Sequence, residues 1–125
     1  MMKLLVVDDE VDICDFVKSF FKERNFEVTT AHNGRSAVET VRSEKPEIVL
    51  LDLKMPIMGG LEALKEIRTM DKNCRVVIVT AMEDMDTVDE AKKCGAVDYI
   101  TKPLLLEQLE RTVLTLAEKI RKEMV

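Results

Sequence analysis

The segment Ile48-Val49-Leu50-Leu51-Asp52 is the strongest indication of the fold of this chain. An unbroken apolar run of this length, bounded by polar residues, is typical of a strand covered on both faces, as in a parallel sheet. The run ends in a carboxylate, which is hard to solvate directly after a buried strand and is costly there without partners. Asp52 is therefore the first candidate for a functional residue.

Similar runs rich in Val, Ile and Leu occur on both sides of this stretch and predict five strands in total. The predicted strands are Lys3–Val7, Glu27–Ala31, Ile48–Asp52, Arg75–Thr80 and Val97–Thr101. The first, third and fourth are nearly continuous in apolar residues, which again favours strands buried on both faces.

Segments with helical spacing follow each strand and predict five helices. The segments that carry the spacing are Ile13–Phe21, Ala37–Val41, Leu61–Ile67, Met85–Lys93 and Leu105–Glu123. Asn33 is the predicted N-cap of the second helix, and Gly95 is a stop signal after the fourth.

The fifth helix carries apolar residues at heptad spacing. The seam consists of Leu106, Leu109, Val113, Leu116 and Ile120. It spans only about two heptads, short of the three or four that indicate a coiled coil. We expect a helix packed on the sheet for most of its length. A dimer seam, or the start of a helix that leads into an output domain, is the alternative.

Five alternating strands and helices predict an α/β fold, a doubly wound parallel sheet of the flavodoxin-like order 2-1-3-4-5. The chain has no low-complexity tract or Gly/Ser-rich linker, so residues 1–125 are expected to form a single domain. In such folds the ligand site lies beyond the carboxyl ends of the strands, near strands 1 and 3.

The residues at those strand ends have a consistent chemistry. Strand 1 is followed by Asp8 and Asp9, strand 3 ends in Asp52, strand 4 ends in Thr80, and strand 5 is followed by Lys102. Converging carboxylates repel one another unless a cation joins them, and Mg²⁺ prefers such oxygen ligands. A site of this kind suits phosphoryl transfer, in which a carboxylate can be the nucleophile.

Five motifs in order resemble those of the receiver domains of bacterial two-component response regulators, the chemotaxis-receiver-like fold. The motifs are Val6-Val7-Asp8-Asp9-Glu10, Leu50-Leu51-Asp52-Leu53-Lys54-Met55-Pro56-Ile57-Met58-Gly59-Gly60, Val79-Thr80-Ala81, Tyr99, and Thr101-Lys102-Pro103. Each motif alone is weak, but together they cover essentially the whole chain at the family's spacing.

The resemblance implies a role for each residue at the predicted site. Asp52 would accept the phosphoryl group. Asp9 and Asp52 would ligate Mg²⁺ directly, Asp8 would contribute directly or through water, and the backbone carbonyl of Lys54 would be a further ligand. Lys102 would bind the phosphoryl group.

The resemblance also implies switch and positioning residues. Thr80 and Tyr99 would form the switch, and the bond between Lys102 and Pro103 would be cis. Lys54 and Met82, two residues after Asp52 and Thr80, are expected to tune the lifetime of the phosphoryl group by controlling access of water.

Partners follow from the same resemblance. The donor would be a histidine kinase or a His-containing phosphotransfer protein. The surface of helix 4, strand 5 and helix 5 would change on phosphorylation and be recognised by a downstream protein or output domain, or by a second copy in a phosphorylation-dependent dimer. The chain would catalyse only its own phosphorylation and dephosphorylation, and it could act alone or within a longer regulator.

Charge and hydropathy argue against several other classes of protein. The net charge is −5 and no basic stripe occurs, which argues against direct binding of nucleic acid. No segment is long and apolar enough for a membrane span, and the first nine residues do not resemble a signal peptide, so we expect a cytoplasmic protein. The cysteines Cys14, Cys74 and Cys94 are expected to be buried or half-buried hydrophobes, and the single histidine, His32, a surface residue.

Three other classes of protein share parts of this pattern. Phosphatases of the haloacid dehalogenase type carry the nucleophile on strand 1 in an Asp-x-Asp pattern, whereas here the candidate is on strand 3. A flavin-binding module needs a Ser/Thr/Gly-rich phosphate loop where this chain has Asp8-Asp9-Glu10. A receiver-like module that has lost phosphorylation would not be expected to keep the complete set of strand-end residues.

Overall fold

The computed structural model describes residues 1–81 and 84–124. Ten elements alternate along the chain, and all strand pairs are parallel in the order β2-β1-β3-β4-β5. The strands are β1 Met2–Val7, β2 Phe26–Ala31, β3 Ile48–Asp52, β4 Arg75–Thr80 and β5 Asp98–Thr101. The helices are α1 Val11–Lys22, α2 Gly34–Glu44, α3 Gly60–Met70, α4 Met85–Lys93 and α5 Leu106–Glu123. The predicted fold class and strand order are confirmed.

The sheet separates two apolar clusters, one on each face. Helices α1 and α5 cover one face through buried residues such as Phe21 and Val113. Helices α2, α3 and α4 cover the other face through residues such as Val41, Leu64 and Val88. Since side chains of a strand alternate between faces, each central strand must be apolar at every position, and this explains the continuous runs in the sequence.

Most predicted boundaries agree with the structure to within one residue. Asn33 caps α2 by accepting a hydrogen bond from the Ser36 amide at 2.8 Å. Gly95 follows α4 with a φ of 106°, a left-handed conformation that favours glycine. Strand β5 begins at Asp98, one residue later than predicted. The Val97 amide still donates to the Val76 carbonyl, but Val97 itself is 46% exposed.

Helix α5 packs on the sheet along most of its length. Three residues of the heptad seam, Leu109, Val113 and Ile120, are buried in the cluster shared with α1, and Leu116 packs against that cluster. Only Leu106, at the start of the seam, is substantially exposed. The expectation of a sheet-packed helix is confirmed. No helix within residues 1–81 and 84–124 has the combination of length and apolar composition that crossing a membrane requires.

Two glycines fix the loop between β3 and α3, which lies directly after Asp52. The amide of Gly34, at the start of α2, donates to the carbonyl of Met58 at 3.0 Å, and the amide of Gly60 donates to Leu53 at 2.9 Å. A Cβ on Gly34 would lie 2.3 Å from the Met58 oxygen, and one on Gly60 would lie 2.2 Å from the Asp52 oxygen. The loop is thus held by backbone contacts that are too close to leave room for a side chain at Gly34 or Gly60.

We predict that Gly34→Ala destabilises the protein by about 1 to 3 kcal/mol, because the added methyl group overpacks a rigid backbone contact. Urea unfolding measures the change. Gly59→Ala is the matched control, since its Cβ would meet its nearest neighbour, the Leu53 oxygen, at an ordinary 3.6 Å. Equal stability of the two variants would contradict the proposed contact.

Candidate functional site

Three carboxylates meet at the carboxyl edge of the sheet. One oxygen each of Asp8, Asp9 and Asp52 lies within 4.8 Å of the others, although Asp52 follows Asp9 by 43 positions in the sequence. Asp8 and Asp52 are buried, whereas Asp9 is exposed. Since β1 and β3 are hydrogen-bonded neighbours, their ends bring these groups together as predicted.

Backbone and thiol groups hold the turn after β1 in place. The Asp8 amide donates to the Ala31 carbonyl at 3.1 Å, and the Glu10 amide donates to Asp8 Oδ1 at 2.9 Å. The Cys14 thiol, on the first turns of α1, donates to the Asp8 carbonyl at 3.3 Å. These bonds fix the direction in which the Asp8 carboxylate points.

Lys102 provides the positive charge of the site. Its Nζ lies 3.2 Å from Asp52 Oδ2 and 3.3 Å from Asp8 Oδ2, so the ammonium group bridges the two buried carboxylates. Its backbone amide donates to the Thr80 carbonyl at 2.7 Å, and the bond to Pro103 is cis. The position of the ammonium group is therefore fixed through the pairing of β4 and β5.

The charges at the site influence one another. Burial raises the pKa of Asp52 above its ordinary 3.8, the positive charge of Lys102 opposes this change, and the negative charge of Asp8 adds to it. Partial burial lowers the pKa of Lys102, but the two carboxylates outweigh burial and leave that pKa above 10.5. At neutral pH the cation is therefore firmly retained, and the two buried carboxylates depend on it.

Thr80 and Tyr99 lie on the same face of the sheet. Thr80 pairs with Thr101 and Ile78 pairs with Tyr99, so Tyr99 is the diagonal neighbour of Thr80. Thr80 is buried at the end of β4, and Tyr99 is partly buried against the cluster shared by α2, α3 and α4. The structure therefore brings the two predicted switch residues to adjacent strands below α4.

Sequence reasoning missed Asp84, a carboxylate that also lines this cavity. The cavity has a volume of about 210 Å³ and is lined by Asp9, Glu10, Asp52, Lys54, Thr80, Ala81, Asp84 and Lys102. Asp84 Oδ1 lies 3.2 Å from Lys54 Nζ, so an ion pair joins two residues that line the cavity. Its place directly before α4, four residues after Thr80, is the only signal in the sequence.

The two residues expected to control access of water are only partly described. The Lys54 amide donates to Asp52 Oδ1 at 3.4 Å, so Lys54 directly borders the site. Met82 lies outside the described residues.

The expectation for His32 is wrong. It is half-buried, and its Nε2 atom is buried without a hydrogen-bond partner within the described parts of the chain. The cysteines are as expected: Cys14 and Cys74 are buried and Cys94 is half-buried. Burial raises the pKa of Cys14 to about 11, so it stays a neutral thiol.

Comparison with known proteins gives a consistent result. The chain matches the family described as the response regulator receiver domain over residues 4–114. It is 36% identical to sporulation initiation phosphotransferase F of Bacillus subtilis, over 89% of this chain and 90% of that protein. It is 42% identical to the chemotaxis protein CheY of Listeria monocytogenes, over 89% and 98% of the two chains. Regulatory protein AtoC of Escherichia coli is 38% identical, but the match covers only 24% of that longer protein.

Solved structures of receiver domains superpose closely on this one. The response regulator receiver domain protein from Clostridium thermocellum gives a TM-score of 0.91 at 28% identity, with all of both chains covered. The receiver domain of the Francisella response regulator 1452 gives 0.87 at 30% identity, over 96% of this chain and 99% of that one.

We predict that Asp52→Asn stabilises the protein at neutral pH in buffer that contains a chelator. Because the pKa of Asp52 is raised in the folded protein, the folded state binds the Asp52 proton more tightly than the unfolded state does. The ionised carboxylate therefore lowers the free energy of unfolding, and it does so fully at pH values above the raised pKa. The gain should shrink as the pH falls through the raised pKa and vanish below about 3.8, where Asp52 is protonated in both states. Urea unfolding midpoints against pH measure this difference.

The control for this prediction is Asp15→Asn, which removes an exposed carboxylate from α1. It should give no comparable gain. An Asp52→Asn variant that is less stable than the wild type at neutral pH would contradict the prediction.

Proposed function

This chain belongs to the response regulator receiver domain family of two-component signalling, and on that premise we propose that Asp52 accepts a phosphoryl group with the help of Mg²⁺. The observation that carries the proposal is the convergence of Asp8, Asp9 and Asp52 with Lys102 at one edge of the sheet.

Asp52 is the best nucleophile of the three carboxylates. It is the only one that ends a central strand, and its two oxygens have separate partners, the Lys54 amide and the Lys102 ammonium group. These contacts hold the carboxylate in one orientation at the cavity. Positioning and charge neutralisation are the main demands of phosphoryl transfer, so a fixed carboxylate is well suited to it.

The donor set also fits Mg²⁺. Three carboxylates with oxygens within 4.8 Å of one another are hard oxygen ligands with too much negative charge for Lys102 alone to balance. Asp8, Asp9 and Asp52 would hold the ion, with the Lys54 carbonyl as a further ligand. When bound, Mg²⁺ supplies neutralisation of the charge that develops on the phosphoryl oxygens.

In the proposed phosphoryl transfer, phosphorus gains one bond and loses another. An Asp52 oxygen forms a bond to phosphorus, the bond between phosphorus and a donor histidine nitrogen breaks, and the electron pair leaves with the imidazole. Lys102 already lies beside Asp52 and is placed to pair with a phosphoryl oxygen. The product is an aspartyl phosphate, which carries roughly −1.5 to −2 charges at neutral pH.

The new charge would act on Thr80 and Tyr99. The Thr80 hydroxyl, which bonds only weakly to the Ala81 carbonyl at 3.3 Å, would turn toward the phosphoryl group. Tyr99, its diagonal neighbour, would then move inward and change the surface formed by α4, β5 and α5. In this way a covalent mark shifts the balance between two existing conformations.

Partners and location follow from the same proposal. A histidine kinase or His-containing phosphotransfer protein would be the donor, in the cytoplasm, and a downstream protein, an output domain or a second phosphorylated copy would bind the changed surface. The chain would catalyse only its own phosphorylation and dephosphorylation. Proteins with and without further domains occur among the relatives, so both arrangements are compatible with the proposal.

We predict a mass gain of one phosphoryl group when the protein is incubated with Mg²⁺ and acetyl phosphate, because the donor's phosphorus can be attacked by the oriented Asp52 carboxylate. Intact-protein mass spectrometry measures it. The gain should disappear in Asp52→Asn and in the presence of a chelator, and it should persist in the control Asp15→Asn. A gain that survives Asp52→Asn would overturn the assignment of Asp52.

We also predict that Lys54→Ala shortens the lifetime of the phosphorylated protein. The ion pair of Lys54 with Asp84 forms part of the lining of the cavity, and its loss would admit water to the phosphoryl group. If the activation free energy of hydrolysis falls by about 1 kcal/mol, dephosphorylation becomes about five-fold faster. Loss of the added mass over time measures the rate.

Two further variants sharpen this test. Lys65→Ala, which removes an exposed lysine from α3, should leave the rate unchanged. Met82→Ala should alter it, as expected from the sequence. Rates that are the same in Lys54→Ala, Met82→Ala and the wild type would contradict a role of these positions in water access.

A further inference from the structure

Lys92 covers the ring of Tyr99. The Lys92 ammonium group lies 4.8 Å from the centroid of the ring, within the range of a cation–π interaction. Lys92 is in the last turn of α4, and Tyr99 is in β5. None of the ion pairs found within residues 1–81 and 84–124 includes Lys92, so the aromatic ring is the partner that the structure gives to its charge.

The turn that joins the two residues is firmly held. The Ala96 amide donates to the Ala91 carbonyl at 3.0 Å, and the Val97 amide donates to Val76 in β4 at 2.9 Å. The Arg68 guanidinium group donates to the Gly95 carbonyl at 2.8 Å. The end of α4 therefore has a fixed position relative to β5, and the contact between Lys92 and Tyr99 is built into the fold.

We propose that Lys92 is a positioning residue that holds Tyr99 in its resting position and so restrains the switch. The proposal rests on the function proposed above, in which Tyr99 moves when Asp52 is phosphorylated. Inward movement of the ring takes its face away from the Lys92 ammonium group. The contact therefore stabilises the resting conformation only, and its loss must shift the balance toward the active one.

The expected size of the effect follows from the strength of such contacts. Cation–π interactions at exposed sites change a two-state ratio by about two- to five-fold. Where the competent state is a minor one, the apparent affinity for any ligand that selects it changes by the same factor. Removal of the Lys92 charge should thus lower the concentration of a phosphoryl mimic that half-saturates the protein by about two- to five-fold.

Tyr99 can be observed alone by NMR spectroscopy. Tyr99 is the only tyrosine, and the chain has no tryptophan. Protein labelled with ¹³C-tyrosine therefore gives ring signals from Tyr99 alone. In the absence of any mimic, Lys92→Met should move these signals toward the positions that the wild type reaches when it is saturated with Mg²⁺ and beryllium fluoride.

Lys93→Met is the matched control, because Lys93 is an exposed lysine in the same helical turn and makes the same contribution to the charge of α4. Lys92→Arg keeps a cation above the ring and should behave as the wild type. Identical Tyr99 signals and identical half-saturating concentrations in Lys92→Met, Lys93→Met and the wild type would overturn the role of Lys92.

The same titration separates this inference from the proposed function. If beryllium fluoride with Mg²⁺ leaves the wild-type Tyr99 signals unchanged at all concentrations, the proposed switch itself fails. If the wild type responds and Lys92→Met responds at the same concentration, only the restraint by Lys92 fails. A response of Lys92→Met at two- to five-fold lower concentration supports both.

Discussion

The ammonium group of Lys102 lies between two buried carboxylates, 3.2 Å from Asp52 and 3.3 Å from Asp8. Without it, the parallel sheet would end in uncompensated negative charge, since β1 and β3 are neighbours and each delivers a carboxylate to the same edge. Charges of this kind are tolerated in a protein interior only when they are paired. With Asp9 also present, the cluster still has excess negative charge, and this excess suits a divalent cation.

The same constraint links the site to distant surfaces. Lys102 is tied through its backbone to Thr80, and Thr80 lies diagonally across from Tyr99, which contacts Lys92 on α4. In the function proposed above, a change in charge at Asp52 would act on this series of neighbouring residues in β4, β5 and α4. On the other side, the ion pair between Lys54 and Asp84 joins the loop after β3 to the start of α4.

The fold and the central site could be predicted from the sequence because local signals and topology agree. Continuous apolar runs define the strands, the βα alternation defines their order, and this order brings Asp8, Asp9, Asp52 and Lys102 together. Contacts between side chains of distant elements left no such signal. The pairing of Asp84 with Lys54 and of Lys92 with Tyr99 depends on where two helix ends lie, and neither spacing nor residue type reveals it. The burial of the His32 Nε2 atom likewise left no signal in the sequence.

We propose that Asp8, Asp9 and Asp52 form one specific Mg²⁺ site that prepares Asp52 for phosphorylation. A Mg²⁺ titration of the unphosphorylated protein, followed by the backbone amide signals, tests it most directly. We expect saturable binding of one ion, with shifts concentrated at residues 8–10, 52–54 and 102. Shifts that grow without saturation, or that are spread evenly over the acidic surface, would contradict it.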